Sequence, residues 1–451
     1  MTFAGVIGYL IVLVGFGVTA NAIWRRPARG LLVLAALLPF HGLLKVLPHG
    51  LVPSFWKEGL ILLTLVLAVV GARGRPRGDF HAPWWPAVAA LVVFGSLSAV
   101  FTAGTLAALP VKITFFYVLL VVICWFAPLT VHDRDRLVTV LMAIGVVNAV
   151  YGVVQQMLGT ERLVAMGYEY GQEVREAGGM LRSFGTFNQP FPYALMLMLV
   201  ILIGLSVSLN DPSRLRSKVF FWCMPLLLVG QALSVVRASF IGLITGLVVL
   251  GVIRYRVVLY ALGGLAVAAL PVLLLAPTSI TGTIFSTASS QTRADGWKAT
   301  MGSVVDNPFG KGLGTSGAAA EQLVTDGPHL PESLAVRIDG ASAYAFGLPY
   351  QPDSYYMKVL VELGPIGLWL FVTFLVVSLL SAVTVSRRAV IPYDGAFAAG
   401  VAAVIAASAA ASIGATLYEI FPMDAFTWLL LGAVGCIQVT AVGGRSMGVR
   451  A

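Results

Sequence analysis

Charge is what this sequence has least of. Asp, Glu, Lys and Arg make up 11% of 451 residues, against 58% apolar side chains and a mean hydropathy of +0.90; soluble globular domains carry about a quarter charged residues. That deficit excludes a water-soluble fold. Strand-like alternation of period two does not dominate, which excludes a transmembrane barrel. The three cysteines, Cys124, Cys223 and Cys436, each lie inside an apolar run, so neither a disulfide framework nor a metal cluster is expected. Residues 1–23 lack a basic start and a small-residue cleavage site, and read as a retained first span. No Walker loop, zinc spacing or nucleophile elbow occurs, and Gly310-Lys-Gly-Leu-Gly314 lacks the strand that a nucleotide fingerprint requires. A soluble nucleotide-sugar donor is thereby disfavoured.

What the sequence does hold is apolar runs of about 17 to 25 residues, the length that crosses hydrocarbon as a helix. They predict an all-α polytopic membrane protein with about 13 transmembrane helices, at roughly 3–23, 30–47, 59–72, 84–102, 111–127, 137–158, 191–209, 219–236, 240–253, 257–276, 365–385, 396–417 and 426–442. Three parts follow. Residues 1–276 hold ten spans with an outer loop at about 159–190, residues 277–364 form a large extracytoplasmic loop containing short helices, and residues 365–451 hold the last three spans.

The net charge of +9 is unevenly placed. Short basic segments at 24–29, 73–77, 132–136, 214–218, 254–256, 387–388 and 445–450 recur at alternate ends of the spans and hold more than half of the 29 Lys and Arg. Such segments stay cytoplasmic, which puts both large loops outside. The charge therefore reports orientation, and no nucleic-acid partner is expected.

Four groups on the outer face can carry chemistry, and each has a plainer reading. Arg182, with Asn188 and Gln189 at the start of a span, can bind an anion at a helix N-terminus, or is a snorkelling arginine at a helix start. Arg237, between Ser234 and Ser239, is costly so near hydrocarbon unless paired or wet; it fits poorly as a topology charge because it falls outside. Arg293 with Asp295 and Trp297 lies on an amphipathic helix over 291–305, which also describes a helix resting on headgroups. Asp353, in Asp353-Ser-Tyr-Tyr356, either caps the following helix or accepts a proton as general base, with Tyr355 and Tyr356 beside it. Taken together, three arginines and one carboxylate form a minimal set for moving a glycosyl unit off a lipid pyrophosphate: guanidinium forks neutralise the departing diphosphate while the carboxylate activates a hydroxyl.

Over roughly residues 140–440 the chain resembles the O-antigen ligase/polymerase superfamily, the bacterial membrane glycosyltransferases of Wzy and WaaL type. The resemblance rests on Arg182-Ser-Phe-Gly-Thr-Phe-Asn-Gln-Pro190, isolated Arg237, Arg293 four residues before Trp297, Asn307-Pro-Phe-Gly-Lys-Gly-Leu-Gly314, and Asp353-Ser-Tyr-Tyr-Met-Lys-Val-Leu-Val-Glu-Leu-Gly364. It implies a GT-C-like fold in the bacterial inner (plasma) membrane, an active site on the periplasmic face, and metal-independent inverting transfer from undecaprenyl-diphosphate-linked oligosaccharide, with no cofactor. Membrane lipid, a flippase and a chain-length regulator are the implied partners. Arg237 and Arg293 look like the family's diphosphate-binding arginines, and Arg182 sits in the motif lining the same cavity. Asp353-Ser354 stands where ligase-type members carry His-Asn. That departure favours a polysaccharide polymerase over a ligase acting on another acceptor. A transporter of lipid-linked sugar is the remaining alternative, and it fits less well because no internal repeat or midplane cluster of ionisable groups is found.

Overall fold

The computed structural model describes residues 15, 17–46, 55–72, 80–275, 296–298, 300–302, 304–325 and 352–440. Helices dominate them: α1 (Ala28–Leu37), α2 (Trp56–Gly71), α3 (Trp85–Ala103), α4 (Ala108–Phe115), α5 (Leu119–Phe126), α6 (Val131–Ala165), α7 (Pro190–Asn210), α8 (Leu215–Leu233), α9 (Arg237–Ile253), α10 (Arg256–Leu275), α11 (Gly317–Thr325), α12 (Tyr355–Arg388), α13 (Pro392–Ala411) and α14 (Met423–Gly435). Three-residue strands β1 (Arg175–Ala177) and β2 (Met180–Arg182) pair as an antiparallel hairpin inside the segment expected to be loop alone. Five helical stretches are long and apolar enough to cross a membrane: Trp85–Phe126, Val131–Ala165, Pro190–Asn210, Tyr355–Arg388 and Pro392–Ala411. Shorter apolar helices stand beside them at Ala28–Leu44, Arg237–Ile253, Arg256–Ala268 and Met423–Gly435.

α7 and α13 form the centre, each buried on almost every face. Without a water-driven term between helices in lipid, close packing falls to small residues. The Ala-rich α13 provides them. It runs antiparallel to α9, where a Cβ added to Gly242 would stand 2.8 Å from the Ala407 carbonyl and one on Gly246 would stand 3.0 Å from that of Ala403. The opposite face of α9 exposes Ile241, Ile244, Val248 and Val252, and α12 exposes Ile366, Trp369, Val372, Val376 and Leu380. Such helical stripes of exposed apolar groups suit a lipid solvent.

The described basic segments meet at one end of the bundle. Arg26 pairs with Asp133 at 2.6 Å, Asp133 closes a capping box with Thr130, and Asp135 takes both Arg214 at 2.7 Å and Arg216 at 2.8 Å. Arg134 forks onto Asp394 with bonds of 2.9 and 2.6 Å, and both side chains are buried. Arg254 reaches the Ser386 and Pro392 carbonyls at 3.3 Å each. Here arginines fasten the helix ends, and each aspartate serves as the clasp.

A buried fork that loses one partner leaves an uncompensated charge, at a cost of about 3–5 kcal/mol. Asp394→Ala is therefore expected to lower the unfolding temperature in detergent sharply. Exposed Asp211→Ala at the same end, which accepts a bond from Ser213 in its own turn, is expected to leave it near wild type. Equal melting of the two variants would overturn this account.

Candidate active site

At the other end, the helix starts carry the residues singled out from the sequence. The 181–187 loop is built from α6, whose buried amides hold it by the backbone. Gln155 Oε1 accepts the Phe184 and Gly185 N–H groups at 3.0 and 2.9 Å, while Asn148 Oδ1 accepts Thr186 N–H at 2.9 Å. Gln156 Nε2 donates to the Leu181 carbonyl at 2.7 Å and to Ser183 Oγ at 2.9 Å. These amides went unmarked in the sequence, although a polar group inside an apolar span was the available signal.

Arg182, on β2, is half-buried. Its Nε donates to the Ser234 carbonyl at 3.1 Å, and its guanidinium lies 5.2 Å from the Phe191 ring centre. Burial, then Arg175 opposite it in the hairpin, holds it below the usual arginine range. The Ser234 turn leads straight into Arg237, the first residue of α9 and also half-buried. Between them Val235 adopts φ 53°, a region that a β-branched residue enters at a cost of about 1–3 kcal/mol. Ser234 Oγ, which accepts Val236 N–H at 3.2 Å, and Ser239 Oγ, which donates to the Val236 carbonyl at 2.8 Å, hold the turn from both sides. Arg182 and the Arg237 turn are thus one unit. Asn188 and Gln189 are half-buried at the start of α7, where Gln189 is the N-cap without a side-chain capping bond.

Asp353 is exposed, and the N-cap of α12 is the next residue, Ser354. Ser354 makes no side-chain capping bond; its Oγ instead donates to the Ser412 carbonyl at 2.9 Å, and Tyr355 N–H reaches the same carbonyl at 3.0 Å. Ser412 ends α13, whose last turn packs on the first turns of α9. Asp353 and Arg237 therefore stand at the same end of the bundle. Tyr355 is buried between Phe371 and Tyr418, with ring centres 5.0 and 5.4 Å away, while half-buried Tyr356 donates to the Ala409 carbonyl at 2.8 Å. Trp297 is half-buried in a helical segment. Arg293 and Asp295, with most of 277–351, lie outside the described residues.

What anchors Asp353 from below is a buried charge cluster. Lys358 Nζ bonds Glu362 at 2.6 Å and lies 3.5 Å from Glu419, and Glu362 also accepts Ser316 N–H at 3.1 Å and its hydroxyl at 2.9 Å. Ala318 N–H donates to Glu419 at 3.1 Å. Burial raises the Glu419 carboxyl above its usual range, against the pull of Lys358. α12 breaks just beyond the cluster, at Gly364 (φ 64°) and Pro365. Proline lacks the N–H that Val361 O would take, and the Asn307–Gly314 loop fills in: Lys311 N–H donates to Val361 O at 2.8 Å and Gly312 N–H to Glu362 O at 2.9 Å. Gly312, at φ 108°, leaves no room for a Cβ against Thr102. The glycine-rich motif is a docking strap.

Residues 220–372 match the family model described as O-antigen ligase. The match takes in Arg237, Arg293, Trp297 and Asp353 and leaves Arg182 outside it. No curated protein matches the chain.

Lys358→Met leaves Glu362 and Glu419 buried without their cation, a loss of about 3–5 kcal/mol at neutral pH. In the variant a carboxyl whose folded pKa is raised contributes stability below its unfolded value and loses it as pH rises through the folded one. The deficit in thermal unfolding should therefore shrink on acidification towards pH 4. A deficit that is absent, or constant across pH 4–8, contradicts the cluster's role.

Proposed function

We propose that this member of the O-antigen ligase/polymerase superfamily is a polysaccharide polymerase. It transfers a growing glycan from an undecaprenyl-diphosphate-linked donor to the terminal hydroxyl of a second lipid-linked repeat unit. The observation that carries the reading is Arg182 gripping the turn that bears Arg237, at the end of the bundle where Asp353 is exposed. The family supports glycan transfer, and Asp353-Ser354 in place of His-Asn favours the polymerase branch.

In this reading the acceptor oxygen forms a bond to the anomeric carbon from the face opposite the diphosphate, giving inversion. The anomeric C–O bond to phosphate breaks, and its electron pair leaves on the diphosphate. Arg182, Arg237 and Arg293 neutralise that charge where it grows, which is the largest electrostatic contribution such a site can make. Asp353 takes the proton of the attacking hydroxyl. Forked guanidinium groups suit two adjacent phosphates better than point ammonium charges. Asn188, Gln189, Trp297, Tyr355 and Tyr356 belong to the substrate-binding surroundings of this centre.

The purified protein, given lipid-linked repeat units and neither nucleotide sugar nor added metal, is expected to lengthen the glycan. Translocation without lengthening would mean a transporter. Arg237→Ala and Arg293→Ala are each expected to cut turnover by about 10²–10³, with Arg→Lys keeping part of it because the charge survives and the fork does not. Wild-type turnover in both alanine variants removes the arginine assignment.

For the carboxylate, Asp353→Asn preserves shape but cannot accept a proton, and a loss of about 10²–10⁴ is expected. Since Ser354 is the N-cap, unaltered thermal unfolding should accompany it. Normal turnover in Asp353→Asn would leave the general base elsewhere.

A further inference from the structure

A second group of polar and aromatic side chains stands at the same end, and the mechanism above does not use it. We infer that His41, Trp56, Lys57, Tyr117 and Phe421 form a subsite for an uncharged sugar ring of the acceptor glycan, a reading that rests on glycan transfer being the activity.

Position comes first. The 3-10 segment Leu38–Lys45, which carries His41, lies directly on the arginine loop: Thr186 Oγ1 donates to the Pro39 carbonyl at 2.7 Å, and a Cβ on Gly42 would fall 2.3 Å from the Phe187 carbonyl carbon. On its other side Phe421 is two residues beyond Glu419, and nearby Tyr418 packs on Tyr355 at the start of α12. The group therefore sits between the element carrying Arg182 and the element carrying Asp353. An acceptor has to enter between those two.

Chemistry comes second. His41 meets Phe421 edge-on at 5.0 Å, Tyr117 lies 6.1 Å from the same ring, and Lys57 Nζ stands 4.1 Å above it. Trp56 Nε1 donates to His41 Nδ1 at 3.4 Å, so neutral His41 carries its proton on Nε2 as a donor. Lys57 offers three more donors. Glu58 pairs with Lys112 at 2.9 Å, and its Oε2 is buried with no hydrogen-bond partner among the described residues. Asp424 lies buried close by.

Charge decides the ligand class. Glu58 answers Lys112 in an ion pair at 2.9 Å, and Lys57, packed over the Phe421 ring, is left as a single point ammonium. Without a guanidinium fork it offers a diphosphate far less than the arginine turn. The half-buried Trp56 and Phe421 rings, ringed by donors and acceptors, suit a ligand with apolar faces and a hydroxylated rim. A pyranose ring is that ligand.

The test uses the full-length protein in detergent with two probes and no turnover: the delipidated repeat-unit oligosaccharide from the host's own lipid-linked pool, and inorganic pyrophosphate. By calorimetry, Lys57→Gln and Phe421→Ala should each weaken oligosaccharide binding at least tenfold and leave pyrophosphate binding within twofold. Arg237→Ala should do the reverse. Where either substitution lowers the unfolding temperature, Phe421→Tyr and His41→Gln supply the binding comparison instead. Oligosaccharide binding that is unchanged in the variants, or absent from wild type, overturns the inference, as does loss of pyrophosphate binding in Lys57→Gln. Glycan binding that depends on Lys57 and Phe421, in a protein that lengthens no glycan, would instead remove the polymerase reading and leave the subsite standing.

Discussion

One missing N–H organises the functional end of this protein. Pro365 cannot donate to the Val361 carbonyl, and Gly364 turns left-handed beside it, so the α12 ladder opens where the helix would otherwise run on. An open carbonyl in a low-dielectric setting must find a partner. The Asn307–Gly314 strap supplies Lys311 and Gly312 N–H groups, bringing Ser316 within reach of the Glu362 carboxylate. Glu362 then holds Lys358, and Lys358 faces Glu419. A single break thus ties the large loop, the start of α12 and the segment before α14 into one assembly beneath Asp353.

The two ends of the bundle use arginine differently. At the basic end, Arg26, Arg134, Arg214 and Arg216 are matched to aspartates, Arg134 and Asp394 in full burial. Their charge is spent on fastening helices. Arg182 has a backbone carbonyl and an aromatic ring as its partners and no carboxylate among the described residues. A guanidinium held by a carbonyl keeps its positive field for a visiting anion, because a carbonyl positions it without cancelling it. The strain at Val235 falls on that same turn, where stored backbone strain more often accompanies function than packing.

Much of this was written in the sequence. Apolar runs marked α3 and α7 through α10 closely, whereas the run at 111–127, expected as one span, is two short helices, α4 and α5, joined by a 3-10 turn; the described basic clusters foretold which helix ends would meet, because lipid thickness and charge asymmetry act on composition directly. The Arg182, Arg237 and Asp353 motifs were visible as polar groups at span ends. Less legible was whatever depends on one element meeting another. The helix expected after Asp353 begins at Tyr355, and what the sequence did not show is that it continues across the kink at Gly364 into the apolar run from 365 as one element, with Lys358 and Glu362 paired and buried inside it. Glu419, Gln155 and Asn148 went unmarked, because their partners lie far away in sequence. The docking role of Asn307–Gly314 depends on a proline more than fifty residues downstream.

For the proposed polymerase, the exposure of Asp353 bears on where the catalytic effort would have to fall. A carboxylate is a weak general base towards a sugar alcohol. In a transition state where the bond to the diphosphate is largely broken, the anomeric carbon already carries positive charge and demands little of its nucleophile. The requirement shifts to the leaving side, where negative charge accumulates on phosphate oxygens and preorganised cations act most strongly. A site that positions its arginines by a strained, doubly bonded turn while leaving its carboxylate solvated is consistent with that division of labour.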